Sequence, residues 1–387
     1  MPKLLRITTV PLSLKVLLRG QMRFMQDNGF EVIMVSADGP ELADVLAFEK
    51  CRHEIVPMTR KITPFRDLIA LIRLTILLRR IKPDIVHSHT PKAGLLAMTA
   101  ARLAGIPIRI HTIAGLRFMT VKGFTRKVLI WMEKLTAASA THVWPNSFSL
   151  LEYIKENRMV SERKLRVIGK GSSNGIDLTR YSPGVPDPAQ ILQVKEKIGF
   201  RDDLYYFLSV GRIVHDKGID ELVAAFVRCY EQNEKVRLIM VGAFEDELDP
   251  VSDKARALLL NHPGIIMAGW SDAVEHYMLI AHALLHPSHR EGFPNVVLQA
   301  GAMGCPVICS RIEGNIDIVE DEVTGLLFDK GDEQQLYERL CTAVNFPGKM
   351  HALAGNLRKK IETWFDQRIV FRLLKETYSE LLENQQN

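Results

Sequence analysis

No stretch of this 387-residue sequence reaches the roughly 20 consecutive apolar residues that cross a bilayer as a helix. The longest, residues 68–78 (LIALIRLTILL), is short and interrupted by Arg73, which excludes an ordinary spanning helix. Cysteine is sparse too: Cys51, Cys229, Cys305, Cys309 and Cys341 are an odd number, widely scattered. That excludes a dense disulfide framework and fits buried thiols in a reducing compartment. No Gly-X-Gly-X-X-Gly follows a strand-like run, which counts against a nicotinamide-dependent dehydrogenase. The opening MPKLLRITTVPLSL lacks a long apolar core and a small-residue cleavage site, so it reads as a first strand rather than a secretory leader.

What is present is ordinary for a globular protein: 47% hydrophobic and 25% charged residues, in a chain long enough for two or three domains. The charge is unevenly placed. Residues 1–180 hold 29 Lys and Arg against 14 Asp and Glu, whereas the remainder holds 21 against 31, so the net +5 hides two halves of opposite sign. A basic half of this kind suits a polyanion, either a membrane surface or nucleic acid.

Strand-like and helix-like runs alternate through both halves. LLRITTV, FEVIMVSA, DIVHSH, PIRIHTIAG and ATHVWPNS read as strands in the first half, and SLKVLLRGQMRFMQDNG as a single helix between the first two. A Gly-, Ser- and Pro-rich break covers residues 169–188, after which YYFLSVGRI, VRLIMVG, IIMAGW and ALLHPS restart the pattern. Such alternation predicts an α/β protein built of βαβ units with parallel sheets. The expected division is one domain at 1–180, a second at 181–365, and a C-terminal helix at 366–387 that could pack back on the first.

The stretch HPSHREGFPNVVLQAGAMG, residues 286–304, holds a carboxylate, Glu291, in a turn where Asp, Asn or Gly would serve the backbone better. Pro294 suits the first position of the helix that follows, whose free N–H groups and positive dipole end form an anion site. After the strand YYFLSV, Gly211 and Arg212 arrive, then Lys217. A planar fork and a point charge both suit phosphate oxygens. Together these residues describe a pocket for a diphosphate, with Glu291 as an isolated acceptor for the hydroxyls of an attached polyol.

The set SVGRIVHDKG, HPSHREGFPNVVLQAGAMGCPVI and GNIDIVEDEVTGLLF resembles the family 4 retaining glycosyltransferases of bacterial surface-polysaccharide synthesis, over nearly the whole chain. The resemblance implies the GT-B fold, two facing Rossmann-like domains with a deep cleft between them. It implies that Arg212 and Lys217 hold the diphosphate of a nucleotide sugar, uridine being the commonest base. Glu291 would bond the sugar hydroxyls, and Gly211 and the backbone of Gly292, Phe293, Pro294 and Asn295 would approach the donor. The family's second Glu, which accepts from the ribose, is Gln299 here. An uncharged acceptor is weaker, about 1 kcal/mol against roughly 1.5–3 for a charged one, so ribose binding should be weaker without loss of activity. Asn174, in NGID, is either a donor contact or a turn residue. SHTPKAGLLAMTAARLAGIPIRIHTIAGL matches the polysaccharide subgroup and places His111 beside the transferred sugar; His87 and His89 are either structural or part of the same cleft.

No Asp-X-Asp occurs in the sequence, which disfavours a metal-bridged donor and leaves metal-independent chemistry as the expectation. A closely related alternative is a nucleotide-sugar 2-epimerase of the same fold. In the basic half, residues 60–82 carry Arg66, Arg73, Arg79 and Arg80 among apolar residues, and residues 121–134 carry Lys122, Arg126, Lys127 and Trp131. Each segment is either a solvated rim over a core-facing helix or a basic amphipathic surface for an anionic membrane. The charge balance favours the membrane, with a polyprenyl-diphosphate-linked saccharide as acceptor at the inner face of the cytoplasmic membrane. The aromatic residues there do not form a stacking platform for nucleic acid.

Overall fold

The computed structural model describes residues 1–246 and 249–386. The chain divides into two compact units: residues 1–175 with the C-terminal helix Gln367–Gln386, and residues 176–366. The expected boundary at 180/181 falls instead at 175/176, within the NGID turn.

The first unit holds a six-stranded parallel sheet: β1 (Lys3–Ile7), β2 (Glu31–Ser36), β3 (Arg52–Ile55), β4 (Ile85–Ser88), β5 (Ile108–Ile113) and β6 (His142–Pro145), in the order β3-β2-β1-β4-β5-β6. The second holds β7 (Tyr205–Val210), β8 (Val236–Val241), β9 (Ile265–Gly269), β10 (Ala283–His286), β11 (Val307–Ser310) and β12 (Leu326–Phe328), in the order β12-β11-β10-β7-β8-β9. Counted within each unit, both orders are 3-2-1-4-5-6, the doubly wound arrangement in which ligands sit beyond the carboxyl ends where the winding reverses. Those reversal points are β1/β4 and β7/β10.

Helices cover both faces of each sheet, which is why the strands are near-continuous Val, Ile and Leu runs. In the first unit, helices Pro64–Ile81, Pro91–Leu103 and Gly123–Ser139 bury one face. The other face packs against helices Pro11–Leu17 and Gln21–Asp27 and the C-terminal helix, where Phe24 and Phe371 ring centroids lie 5.4 Å apart. The single helix expected after β1 is therefore two. Gly20, at φ +81, breaks it, and its N–H bonds Glu49 Oε1 at 2.6 Å.

Candidate functional site

At the β7/β10 reversal point, Gly211 and Arg212 leave β7, a short turn presents Lys217, and Gly218 opens helix Ile219–Gln232. Gly218 adopts φ +66, and a Cβ there would overlap the carbonyl of Pro287 at the end of β10. Only glycine lets the two loops touch. Polar side chains then join them: Arg290 pairs with Asp216 at 2.7 Å, and His289 with Glu221 at 2.9 Å. Neither pair was legible in the sequence, where the partners lie far apart.

Between these loops is a pocket with about 230 Å³ of empty space, lined by Ser209, Gly211, Arg212, Lys217 and His286. Glu291 is not the isolated acceptor expected from the sequence. Its Oε1 contacts Lys217 Nζ directly and lies 3.2 Å from His286 Nε2. Burial alone would raise the Glu291 carboxyl, but the Lys217 ammonium and His286 outweigh it and hold the group well below the usual carboxylate range. Burial in turn pushes the His286 imidazole down despite the carboxylate, so it is neutral at neutral pH. Along the chain 74 residues separate Lys217 from Glu291, and that spacing gives no sign that they meet. Arg212 pairs outward with Glu245 at 2.8 Å and is half-exposed, another partner that the sequence reading missed. Each cation of the pocket thus has a carboxylate that an entering anion must compete with.

Helix Asn295–Ala302 starts one residue later than expected, with Pro294 as its cap, a residue that makes no side-chain cap bond. Its amino end faces the Glu291 loop, which Gly314 closes. A Cβ on Gly314 would overlap the Gly292 carbonyl, so backbone meets backbone there. Phe293 is buried against Phe365, ring centroids 5.2 Å apart, and serves as an anchor for the turn. On the same helix, Gln299 Nε2 donates to the Tyr181 hydroxyl at 2.9 Å, which leaves Oε1 as the acceptor of that amide.

In the first unit His111 is buried within β5, two residues before its carboxyl end. Its Nδ1 lies 2.9 Å from Ser88 Oγ, and its ring packs on Gly94, where any Cβ would overlap it. His87 and His89 are buried in a network with Arg6. Asn174 Oδ1 accepts from Gln21 and its Nδ2 donates to the Arg19 carbonyl, each at 3.1 Å, so both ends of this amide hold the turn within the first unit.

Arg66, Arg73, Arg79, Arg80, Lys122, Arg126, Lys127 and Trp131 are all exposed. Helix Pro64–Ile81 has two apolar stripes. Ala70, Leu74, Leu77, Leu78 and Ile81 face the core, while Phe65, Leu68, Ile69, Ile72 and Ile76 face outward, Phe65 being 87% exposed. Phe124 and Trp131 (63%) are exposed on helix Gly123–Ser139.

Residues 190–360 match the family described as glycosyl transferases group 1, and residues 15–171 the glycosyl transferase 4-like domain. A Staphylococcus aureus protein named capsular polysaccharide biosynthesis glycosyltransferase CapM is 34% identical over 98% of each chain. An Escherichia coli UDP-Gal:alpha-D-GlcNAc-diphosphoundecaprenol alpha-1,3-galactosyltransferase is 27% identical over 94% of this chain and 92% of its own. Anabaena Alr3699/HepE, solved with UDP and glucose, superposes with a TM-score of 0.81 at 19% identity, covering 98% of this chain and all of that one. Sucrose-phosphate synthase from Thermosynechococcus elongatus gives the same TM-score at 20% identity over 99% of this chain. With two doubly wound parallel units and family matches across both, the chain belongs to the group 1 glycosyl transferases and is a hexosyltransferase-type enzyme of the GT-B fold.

Proposed function

We propose that this glycosyltransferase moves a hexose from a UDP-sugar to a polyprenyl-diphosphate-linked saccharide, with retention of configuration, in the assembly of a capsular or related surface polysaccharide. The observation that carries the donor half is the pocket at the β7/β10 reversal point. Arg212, Lys217, Glu291 and the amino end of helix Asn295–Ala302 share one loop cluster. The Escherichia coli relative uses UDP-Gal and a diphosphoundecaprenol-linked acceptor, and the Staphylococcus aureus relative is named for capsule synthesis.

In this reading the bond between the anomeric carbon and the leaving diphosphate oxygen breaks as the acceptor oxygen bonds the same face of the sugar. The acceptor proton passes to the departing phosphate oxygen. Negative charge grows on the diphosphate, so Arg212, Lys217 and the free helix amides act where it develops. With that charge met by side chains and backbone, the scheme needs no metal ion. Glu291 accepts from sugar hydroxyls and aligns the ring. The acceptor lipid keeps the enzyme at the inner face of the cytoplasmic membrane. The outward apolar stripe of helix Pro64–Ile81, with Arg66, Arg73, Phe124, Arg126, Lys127 and Trp131, provides the surface that rests on anionic lipid.

The test is incubation with a panel of radiolabelled UDP-hexoses and a short-chain prenyl-diphosphate-linked monosaccharide, in buffer containing EDTA. A lipid-linked disaccharide with the donor's anomeric configuration is expected. Inverted product, or an epimerised nucleotide sugar in the absence of acceptor, would overturn the proposal.

A further inference from the structure

A second cavity lies in the first unit, at the β1/β4 reversal point, on the sheet face covered by the C-terminal helix. Its empty space, about 340 Å³ including the solvent at its mouth, is lined by Gln21, His89, Trp144 and Ser173, with Val370 and Leu374 of the C-terminal helix among its apolar wall. Behind it sits Arg6, 1% exposed, with no salt bridge among the described residues. Its partners are neutral. Nη1 bonds His87 Nδ1 at 2.8 Å and the Tyr378 hydroxyl, and Nη2 bonds His89 Nε2 at 2.7 Å. The buried Glu49 carboxylate acts on Arg6 only from a distance, and among the described residues no carboxylate touches the guanidinium; a buried cation without a contacting counter-charge is strongly unfavourable.

The guanidinium also sets the proton positions around it. Because Arg6 only donates, His89 Nε2 must accept, and neutral His89 therefore carries its proton on Nδ1. His87 Nδ1 accepts likewise, so its Nε2–H donates to Thr112 Oγ1 at 2.7 Å. Arg6 thereby fixes the His89 tautomer, leaving a neutral N–H donor on the ring nitrogen opposite the guanidinium. Three more polar atoms are buried without any partner: Trp144 Nε1, a donor; Ser173 Oγ; and Gln21 Oε1. The Gln21 assignment is secure, since its Nε2 already donates to the Ser173 carbonyl at 2.9 Å and to Asn174 Oδ1. The cavity therefore offers N–H and O–H donors in a positive field, together with one acceptor that needs an O–H.

We propose that this cavity binds a singly protonated oxoanion of the phosphate class, its oxygens accepting from Trp144 Nε1–H, His89 Nδ1–H and Ser173 Oγ–H and its own O–H donating to Gln21 Oε1. Two sources present this chemistry: free phosphate, and the phosphate of a lipid-linked acceptor, where a neighbouring sugar hydroxyl replaces the P–O–H. The site itself does not depend on the acceptor reading; only the second source rests on it.

The full-length chain labelled with ¹⁵N at its four indoles decides the matter. The Trp144 resonance is assigned by its loss in Trp144→Phe. Titration of the unmutated protein with inorganic phosphate, against chloride at equal ionic strength, should move the Trp144 indole N–H downfield, saturably and more than the other three. A water-soluble prenyl-diphosphate-linked monosaccharide is then titrated in the same way. Saturation at lower concentration than phosphate assigns the site to the acceptor, whereas a response to inorganic phosphate alone assigns it to the free ion. Gln21→Leu should raise the half-saturating phosphate concentration roughly fivefold to tenfold, the effect of one lost hydrogen bond, while leaving UDP affinity unchanged. A Trp144 resonance that stays fixed in both titrations, or follows chloride equally, leaves only solvent in the cavity and overturns the assignment. A failure of the donor pocket would instead appear as lost UDP binding in the unmutated chain.

Discussion

Replacing Glu291 by Gln keeps the shape of the group that holds Lys217 and removes its charge. Two unit charges about 4 Å apart attract by about 4 kcal/mol at an effective dielectric of about 20, and by about 1 kcal/mol in bulk water. Side-chain exposures of 24% for Lys217 and 16% for Glu291 place this pair between those limits. A diphosphate entering the pocket must draw Lys217 partly away from the carboxylate and must also approach that carboxylate's own charge. Removing the charge should therefore tighten UDP binding by about tenfold, equivalent to about 1.4 kcal/mol. Turnover should move the opposite way, falling on the order of a hundredfold or more, because the group that aligns the sugar loses its charged acceptor. Calorimetric titration with UDP and a sugar-transfer assay read the two effects separately, and circular dichroism checks the fold. UDP affinity that is unchanged or weaker in the folded variant would refute the competition argument.

Acid should destabilise the first unit. Burial pushes the imidazoles of His87 and His89 well below their ordinary value and takes His111 down to about 4. Below about pH 6.5 the unfolded chain binds protons that the folded chain refuses, so stability falls with pH, and by pH 4 His111 alone costs about 3 kcal/mol; denaturant melts between pH 7 and 4.5 check this, and a flat profile contradicts it. Phe65→Ser with Ile72→Ser should abolish flotation with anionic vesicles at low salt while leaving the melting temperature within a few degrees, because both side chains point outward. Gln299→Glu should lower the donor KM by roughly fivefold, about 1 kcal/mol for a charged rather than a neutral acceptor, since Tyr181 can turn its hydroxyl to donate to the new carboxylate; a raised KM would count against a ribose contact there.

The strands were legible because parallel sheets covered on both faces demand apolar runs, and the loops after β7 and β10 because Gly, Arg, Lys and Glu there have no structural reason to recur together. What the sequence hid was pairing across distance. Lys217 with Glu291 and Arg212 with Glu245 are joined only by the fold, so charges that read as free are partly neutralised. Arg6 looked like an ordinary strand residue in LLRITTV, yet it lies under two histidines and a tyrosine more than 370 residues away. The apolar spacing continues across Gly20, so the segment reads as one helix, and only the positive φ there ends the first helix. Conversely, the doubled apolar pattern of helix Pro64–Ile81 was visible as hydrophobicity, but its outward stripe could be separated from its core stripe only once the buried side was known.

In the proposed reading, a nucleoside diphosphate seats its β-phosphate between Arg212, Lys217 and the amino end of helix Asn295–Ala302. Determining the structure with UDP bound tests it most directly. The expected result is β-phosphate oxygens within hydrogen-bond distance of the Arg212 guanidinium, the Lys217 ammonium and at least one amide of that helix's first turn, with Lys217 drawn off Glu291. A diphosphate lodged elsewhere, with the Lys217–Glu291 pair intact, would contradict it.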